Sequence, residues 1–177
     1  MTHRAVFLDR DGVINRAIVR DGKPYPPASL EEVEILPGVE DALERLKEAG
    51  YVLVVVSNQP DVARGTTRRS TVEAINEFLG KRLPIDRFIM CYHDSSDGCA
   101  CRKPQPGMLV MGAEEFDINL AGSFMVGDRW RDVAAGVTAG CKTLFIDYGY
   151  NEQQPAQVDF SVRSLKEASD IILGVRE

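Results

Sequence analysis

Two carboxylates spaced two apart, Asp9 and Asp11, follow the apolar run Arg4–Leu8 directly and lead into Gly12. In an extended chain, residues i and i+2 point to the same side. Carboxylates that close repel one another and call for a cation or a shared proton. Hard oxygen donors suit Mg²⁺, which takes one or two carboxylates together with a substrate phosphate. Alone, an Asp-x-Asp reads equally well as a solvated acidic turn. Asp128 adds a third acid just past another apolar run, in Gly127-Asp128-Arg129-Trp130-Arg131-Asp132, with Asp132 one helical turn on. An N-cap is the plainer reading for an aspartate there, and it suits Asp132 best.

Ser57 and Asn58 end the most apolar run of the chain. A hydroxyl beside free N–H groups at a helix start can cradle phosphate, although Ser and Asn are also ordinary turn residues. Arg102 and Lys103 place two cations just before a helix; taken alone, such a pair is a solvated charged loop. Cys91, His93, Cys99 and Cys101 form a CxH…CxC pattern within eleven residues. Three thiols and one imidazole are the Cys₃His donor set of a closed structural zinc site. The alternative is three unrelated thiols and a surface histidine. Zinc is favoured because the only other histidine is His3 and because clustered thiols in a reducing compartment indicate metal more than disulfides. A site with four protein ligands has no open position, so its role is to shape a loop too poor in apolar residues to fold alone. Cys141 lies in an apolar run and reads as core.

The elements that must position these groups alternate. Strands are predicted at Arg4–Leu8, Tyr51–Val56, Arg87–Tyr92, Ser123–Val126 and Lys142–Ile146, with a short sixth near Val158–Val162. Tyr51–Val56 is apolar on both parities, as in a strand buried on both faces. Helices are predicted from Pro37-Gly38 to Ala49, over Arg68–Arg82, from Pro106 to Glu115, and up to Ala139. Ser164 and Glu167 have capping-box spacing for a last one. Residues 13–36, with Pro24, Pro26 and Pro27, read as a long irregular loop. Alternating strands and helices predict an α/β fold, Rossmann-like and doubly wound, with a mainly parallel sheet. Asp9, Ser57 and Asp128 then sit at the carboxyl ends of three strands, the edge where such sheets bind ligands.

The chain has 177 residues, 44% hydrophobic and 27% charged, which predicts one domain over residues 1–177 with a real core. Its net charge of −6 argues against a nucleic-acid partner but leaves room for a local basic pocket. No run approaches the ~18 apolar residues of a membrane helix, and the N-terminus lacks the shape of a signal peptide. A cytoplasmic monomer without membrane partners is expected.

Taken together and in order, Asp9-Arg10-Asp11-Gly12, Ser57-Asn58-Gln59, Arg102-Lys103-Pro104 and Gly127-Asp128 to Asp132 resemble the four motifs of the haloacid dehalogenase superfamily of phosphatases. The resemblance spans residues 5 to about 147. FLDRDGVIN, SNQPDVARG, CRKPQPGM and the CxH…CxC loop are similar to the group that contains heptose bisphosphate and histidinol-phosphate phosphatases. Pro60-Asp61-Val62 departs from the small Ser-Gly step usual there, and Arg129 stands where many relatives have Lys.

The resemblance implies that Asp9 is a nucleophile forming an aspartyl phosphate and that Asp11 is the general acid and base. It implies Mg²⁺ held by Asp9, Asp128 and the backbone carbonyl of Asp11. Ser57 and Lys103 would hold the phosphoryl group, Arg102 would contact substrate, and Asn58 would order the site. The chain has no room for a separate cap domain, so loops 13–36 and 91–101 would choose the substrate. The function expected is Mg²⁺-dependent hydrolysis of a small sugar phosphate, a heptose bisphosphate before histidinol phosphate. The rival from another class is a non-catalytic binding module built on the zinc loop.

Overall fold

The computed structural model describes residues 2–175. Six strands form one sheet: β1 (Ala5–Leu8), β4 (Val52–Asn58), β5 (Arg87–Cys91), β6 (Phe124–Gly127), β7 (Lys142–Ile146) and β8 (Phe160–Val162). The strand order is β5-β4-β1-β6-β7-β8, and every neighbouring pair is parallel. From β1 the chain steps outward through β4 and β5, then returns to the other side of β1 for β6, β7 and β8. The direction of winding reverses between β1 and β6. In such sheets the ligand crevice lies at that reversal, beyond the carboxyl ends of the strands. Asp9 and Asp128 are the residues that follow these two strands.

Period-2 geometry explains why β1 and residues 52–56 of β4 lack polar positions. Val6, Leu8, Leu53 and Val55 point into a core built with α1 (Val39–Glu48), α2 (Arg69–Gly80) and α5 (Leu165–Leu173). Ala5, Phe7, Val54 and Val56 point to the opposite face, against α3 (Gly107–Phe116) and α4 (Trp130–Ala139). A strand covered on both faces has no solvent side to mark with polar residues. The Ser164 hydroxyl caps α5, accepting from the Glu167 N–H at 3.1 Å, while the Glu167 carboxylate reaches back to the Arg163 N–H instead of closing a full box.

Residues 13–36 differ from the irregular loop the sequence predicts. They contain an antiparallel hairpin, β2 (Ile18–Arg20) with β3 (Lys23–Tyr25), and a short 3₁₀ turn at Leu30–Glu32. Asp21 and Gly22 both take positive φ, 51° and 72°, the tight-turn geometry that matches strand twist and favours Asp-Gly. An Arg16–Glu34 ion pair at 2.8 Å fastens the two ends of the excursion. No helix among the described residues is long and apolar enough to cross a membrane.

Candidate active site

The crevice is a cleft of about 290 Å³ whose lining includes Asp9, Asp11, Ser57, Asn58, Arg102 and Lys103. Six residues singled out from the sequence are thus brought together. Asp9 is fixed at its backbone, its N–H donating to the Val126 carbonyl at 3.0 Å, so the nucleophile candidate is tied directly to β6.

Lys103 is 2% exposed; its ammonium donates to Asp9 Oδ1 at 2.9 Å and to the Val56 carbonyl at 2.8 Å, and it pairs with Asp132 Oδ1 at 2.6 Å. Its backbone is clamped by Asn58, whose Oδ1 accepts from the Lys103 N–H (2.9 Å) and whose Nδ2 donates to the Lys103 carbonyl (3.0 Å). The Asn58 amide, grouped above with the phosphate binders, is spent on placing the lysine. Asp132 sits at the third position of α4, not at its N-cap; Oδ2 accepts from the Arg129 N–H at 3.0 Å.

Asp11 is surrounded by donors. Arg10 Nε lies 3.1 Å from Oδ1, Asn15 Nδ2 3.0 Å from Oδ1, and Gln59 Nε2 2.8 Å from Oδ2. Gln59 also donates to the Ser57 hydroxyl at 2.9 Å, so one amide links the phosphate-binding candidate to the acid–base candidate. Nothing in the type or spacing of Arg10, Asn15 or Gln59 marks them in the sequence as partners of Asp11.

Asp128 is 1% exposed, and its Oδ1 is buried with no hydrogen-bond partner among the described residues. Its Oδ2 accepts from the Tyr150 hydroxyl at 2.8 Å. Gly12, at φ 90°, lies so close that a Cβ there would fall 1.9 Å from that same oxygen. Burial, then the Asp132 charge, pushes the Asp9 carboxyl up to about 6 against the pull of Lys103. Burial, then the charges of Asp9 and Asp132, holds the Asp128 carboxyl well above the usual carboxylate range. Acids this crowded demand positive charge.

The residues present fit a hard cation. Ligand oxygens of Asp9, Asp128 and Asp132 lie within 4.8 Å of one another. Both Asp132 oxygens are committed, to Lys103 and to the Arg129 N–H, so Asp9 and Asp128 hold the oxygens left for a cation, and Asp128 Oδ1 is buried without a partner among the described residues. The Cys/His set also converges. Cys91 Sγ is 3.5 Å from His93 Nδ1 and 3.7 Å from Cys99 Sγ; Cys101 Sγ is 3.5 Å from Cys99 Sγ, 3.2 Å from His93 Nδ1 and 2.9 Å from Cys91 Sγ. A tetrahedral zinc with Zn–S of ~2.3 Å and Zn–N of ~2.0 Å sets sulfur pairs ~3.8 Å and sulfur–nitrogen pairs ~3.5 Å apart. The donor set and most of its spacings fit that ion, the Cys91–Cys101 pair standing closer.

Several lining groups escaped the sequence reading. Lys23 and Tyr25 come from the hairpin, and Arg64 comes from the loop after β4. Arg64 pairs with Asp94 of the Cys/His loop at 2.7 Å and with Asp61 at 3.4 Å, which ties the atypical Pro60-Asp61-Val62 stretch to that loop. Arg102 reaches the His93 carbonyl at 3.4 Å, and Arg131 lies 5.0 Å over the Trp130 ring. Burial and the neighbouring charges of Arg129 and Arg102 depress the ionisation of Arg131. Arg129 is held by Glu152, at 3.0 Å from Nε to Oε2.

The fold and the crevice define a class, and the comparisons agree with it. Residues 100–168 match the family model described as "HAD-hyrolase-like". The chain belongs to the HAD-like phosphatases of the haloacid dehalogenase superfamily, and it is an enzyme of that class. Its relatives are specific. It is 37% identical over 159 residues to the D-glycero-beta-D-manno-heptose-1,7-bisphosphate 7-phosphatase of Bordetella bronchiseptica, covering 87% of this chain and 86% of that one. It is 36% identical over 151 residues to the enzyme of the same name from Escherichia coli, covering 78% and 76%. The crystal structure of the Bordetella bronchiseptica phosphatase, complexed with magnesium and phosphate, superposes with a TM-score of 0.79 at 32% identity over 98% and 99% of the two chains. A putative HAD-like phosphatase from Mesorhizobium loti superposes at 0.76, with 29% identity over 97% and 88%.

Proposed function

We propose that the chain is a single-domain, Mg²⁺-dependent phosphomonoesterase acting on a heptose 1,7-bisphosphate through an aspartyl-phosphate intermediate. The observation that carries the proposal is the pairing of Asp9 with Lys103 beside the orphaned Oδ1 of Asp128 at the winding reversal. The names of the relatives support the heptose bisphosphate over histidinol phosphate. Membership of a phosphatase family disfavours a non-catalytic zinc-loop module.

Asp9 Oδ2 is the oxygen left free by Lys103. It attacks phosphorus, and the bond from phosphorus to the leaving alkoxide breaks. Asp11 delivers a proton to that alkoxide and then takes one from the water that hydrolyses the acyl phosphate. Lys103 places a fixed positive charge beside the phosphoryl oxygens, and Ser57 donates a hydroxyl. Asp9, Asp128 and the Asp11 carbonyl would hold Mg²⁺, which offsets the charge of the dianionic ester and of the transition state. Arg102 and Arg131, on the wall of the cleft, suit the second phosphate of a bisphosphate. Cys91, His93, Cys99 and Cys101 would hold one Zn²⁺, and the chain runs from the last of them straight into Arg102 and Lys103. A reducing cytoplasm keeps those thiols available.

The test is phosphate release from heptose 1,7-bisphosphate, histidinol phosphate and an aryl phosphate, by wild type and Asp9→Asn, with and without Mg²⁺. The heptose ester is expected to have the highest kcat/KM, with loss of the 7-phosphate, and Asp9→Asn is expected to be inactive on all three. Turnover by Asp9→Asn near the wild-type level would overturn the assignment of the nucleophile.

A further inference from the structure

The segment after β7 does something the four motifs do not contain. Tyr148, Tyr150 and Glu152 reach three different parts of the site. The Tyr148 hydroxyl donates to the Gly12 carbonyl at 2.9 Å, Tyr150 to Asp128 Oδ2 at 2.8 Å, and Glu152 holds Arg129. The Asn151 N–H donates to the Gly22 carbonyl at 2.8 Å, so the same stretch is pinned to the turn of the β2–β3 hairpin. The Tyr148 and Tyr150 rings stack, with centroids 5.4 Å apart and planes at 29°. A tyrosine hydroxyl held on this frame has little freedom to leave its acceptor.

We propose that Tyr150 is a positioning residue for Mg²⁺: by occupying Oδ2 of Asp128 it fixes the carboxylate so that Oδ1 is the oxygen presented to the metal. The inference rests on the Mg²⁺ reading above. The two oxygens of Asp128 have unlike surroundings. Oδ2 is confined between Gly12 and the Tyr150 hydroxyl, and Oδ1 is buried without a partner among the described residues. Without the hydroxyl, Oδ2 becomes a second unpartnered buried oxygen, and rotation about Cβ–Cγ no longer has a preferred end point. The cation would then have to order its own ligand. Outer partners that orient a metal-binding side chain are commonly worth about 10- to 100-fold in metal affinity.

The experiment is calorimetric titration of Mg²⁺ alone into metal-free wild type and Tyr150→Phe. The variant removes one oxygen and keeps the stacked ring. Its Mg²⁺ dissociation constant is expected to rise about tenfold or more. Phosphatase kcat is expected to return close to wild type once Mg²⁺ is raised in proportion. A purely structural role for Tyr150 would instead lower kcat at saturating Mg²⁺ and the melting temperature in EDTA, with an unchanged dissociation constant. Affinities within twofold of each other overturn the inference and leave the Mg²⁺ reading standing. A wild type that binds no Mg²⁺ overturns both. Should Tyr150→Phe fail to fold, wild type labelled with ¹³C at tyrosine Cζ gives the answer. Among the five tyrosines, the Tyr150 resonance is expected to move on Mg²⁺ addition while that of Tyr51, packed edge-on to Phe124, stays; no shift at Tyr150 would refute the contact.

Discussion

Lys103→Met tests the electrostatic reasoning at its centre. Methionine keeps the length of the side chain and removes its charge. Lys103 lies between two acids, 2.9 Å from Asp9 and 2.6 Å from Asp132, at 2% exposure. Breaking a buried pair by deleting one partner costs about 3–5 kcal/mol, because the other charge stays buried and uncompensated. For a chain of this size 1 kcal/mol moves the melting temperature by about 2–4 °C. The variant is therefore expected to melt about 6–20 °C lower in EDTA at pH 7.5. Protonation limits the damage. Asp9 already sits at about 6 with the lysine in place, and the lysine is the group pulling it down. Without Lys103 the folded state holds its proton to higher pH than the unfolded chain does, so the variant loses stability as pH rises and recovers it on acidification. The assay is thermal unfolding of both proteins in EDTA at pH 5 and pH 7.5. A difference under about 2 °C at pH 7.5, or a larger difference at pH 5 than at pH 7.5, would refute the argument.

Three further outcomes follow from the same geometry. Gly12→Ala forces a Cβ to within 1.9 Å of Asp128 Oδ2 at φ 90°; it is expected to cost about 1–3 kcal/mol from backbone strain alone and to weaken Mg²⁺ binding, read by unfolding and by titration. Cys99→Ser is expected to lose stoichiometric zinc by elemental analysis, raise KM and lower kcat, with the strand core still folded; unchanged kinetics would show that the loop does not set Arg102 and Lys103. Wild type in EDTA is expected to lose stability on the order of 2 kcal/mol between pH 4 and pH 7 from Asp9, because the folded carboxyl, at about 6, binds its proton more tightly than the unfolded one. Mg²⁺ should restore more at pH 7.5 than at pH 5, since ligands must be deprotonated to bind it; equal restoration at both values would count against Asp9 as a ligand.

The strands that carry Asp9, Ser57 and Asp128 were legible because a strand buried on both faces leaves an apolar block, and each block ends at a polar residue. The hairpin was not read, since Lys23-Pro24-Tyr25 and Ile18-Val19-Arg20 are short, largely exposed and interrupted by proline. A signal was nonetheless present: Asp21-Gly22 is the dipeptide that a tight two-residue turn prefers. Asp132 reads from the sequence as a helix-start acid closing the fourth motif, with no partner indicated. Its bond to Lys103 crosses between elements far apart in sequence, and no local pattern encodes that. Tyr148, Tyr150 and Glu152 are likewise invisible without coordinates, because a Tyr-Gly-Tyr after a strand is an ordinary surface turn until its acceptors are known. Asn58, expected to order the site, holds the Lys103 backbone; side-chain type alone does not tell such a clamp from a phosphate ligand.

Three connections surround the site, each with fastenings of its own: the hairpin by its own pairing and the Arg16–Glu34 ion pair, the Cys/His loop by its converging donors, and the post-β7 segment by its tyrosines, with the Asn151–Gly22 backbone bond joining this last segment to the hairpin. The reacting acid belongs to none of them; it hangs from the backbone of β1 and β6. Insertions, deletions and exchanges among these connections can therefore accumulate along a lineage without shifting the nucleophile. Only the hairpin touches neither Lys103 nor Asp128, so it is the connection where a change in what is hydrolysed is separable from a change in how.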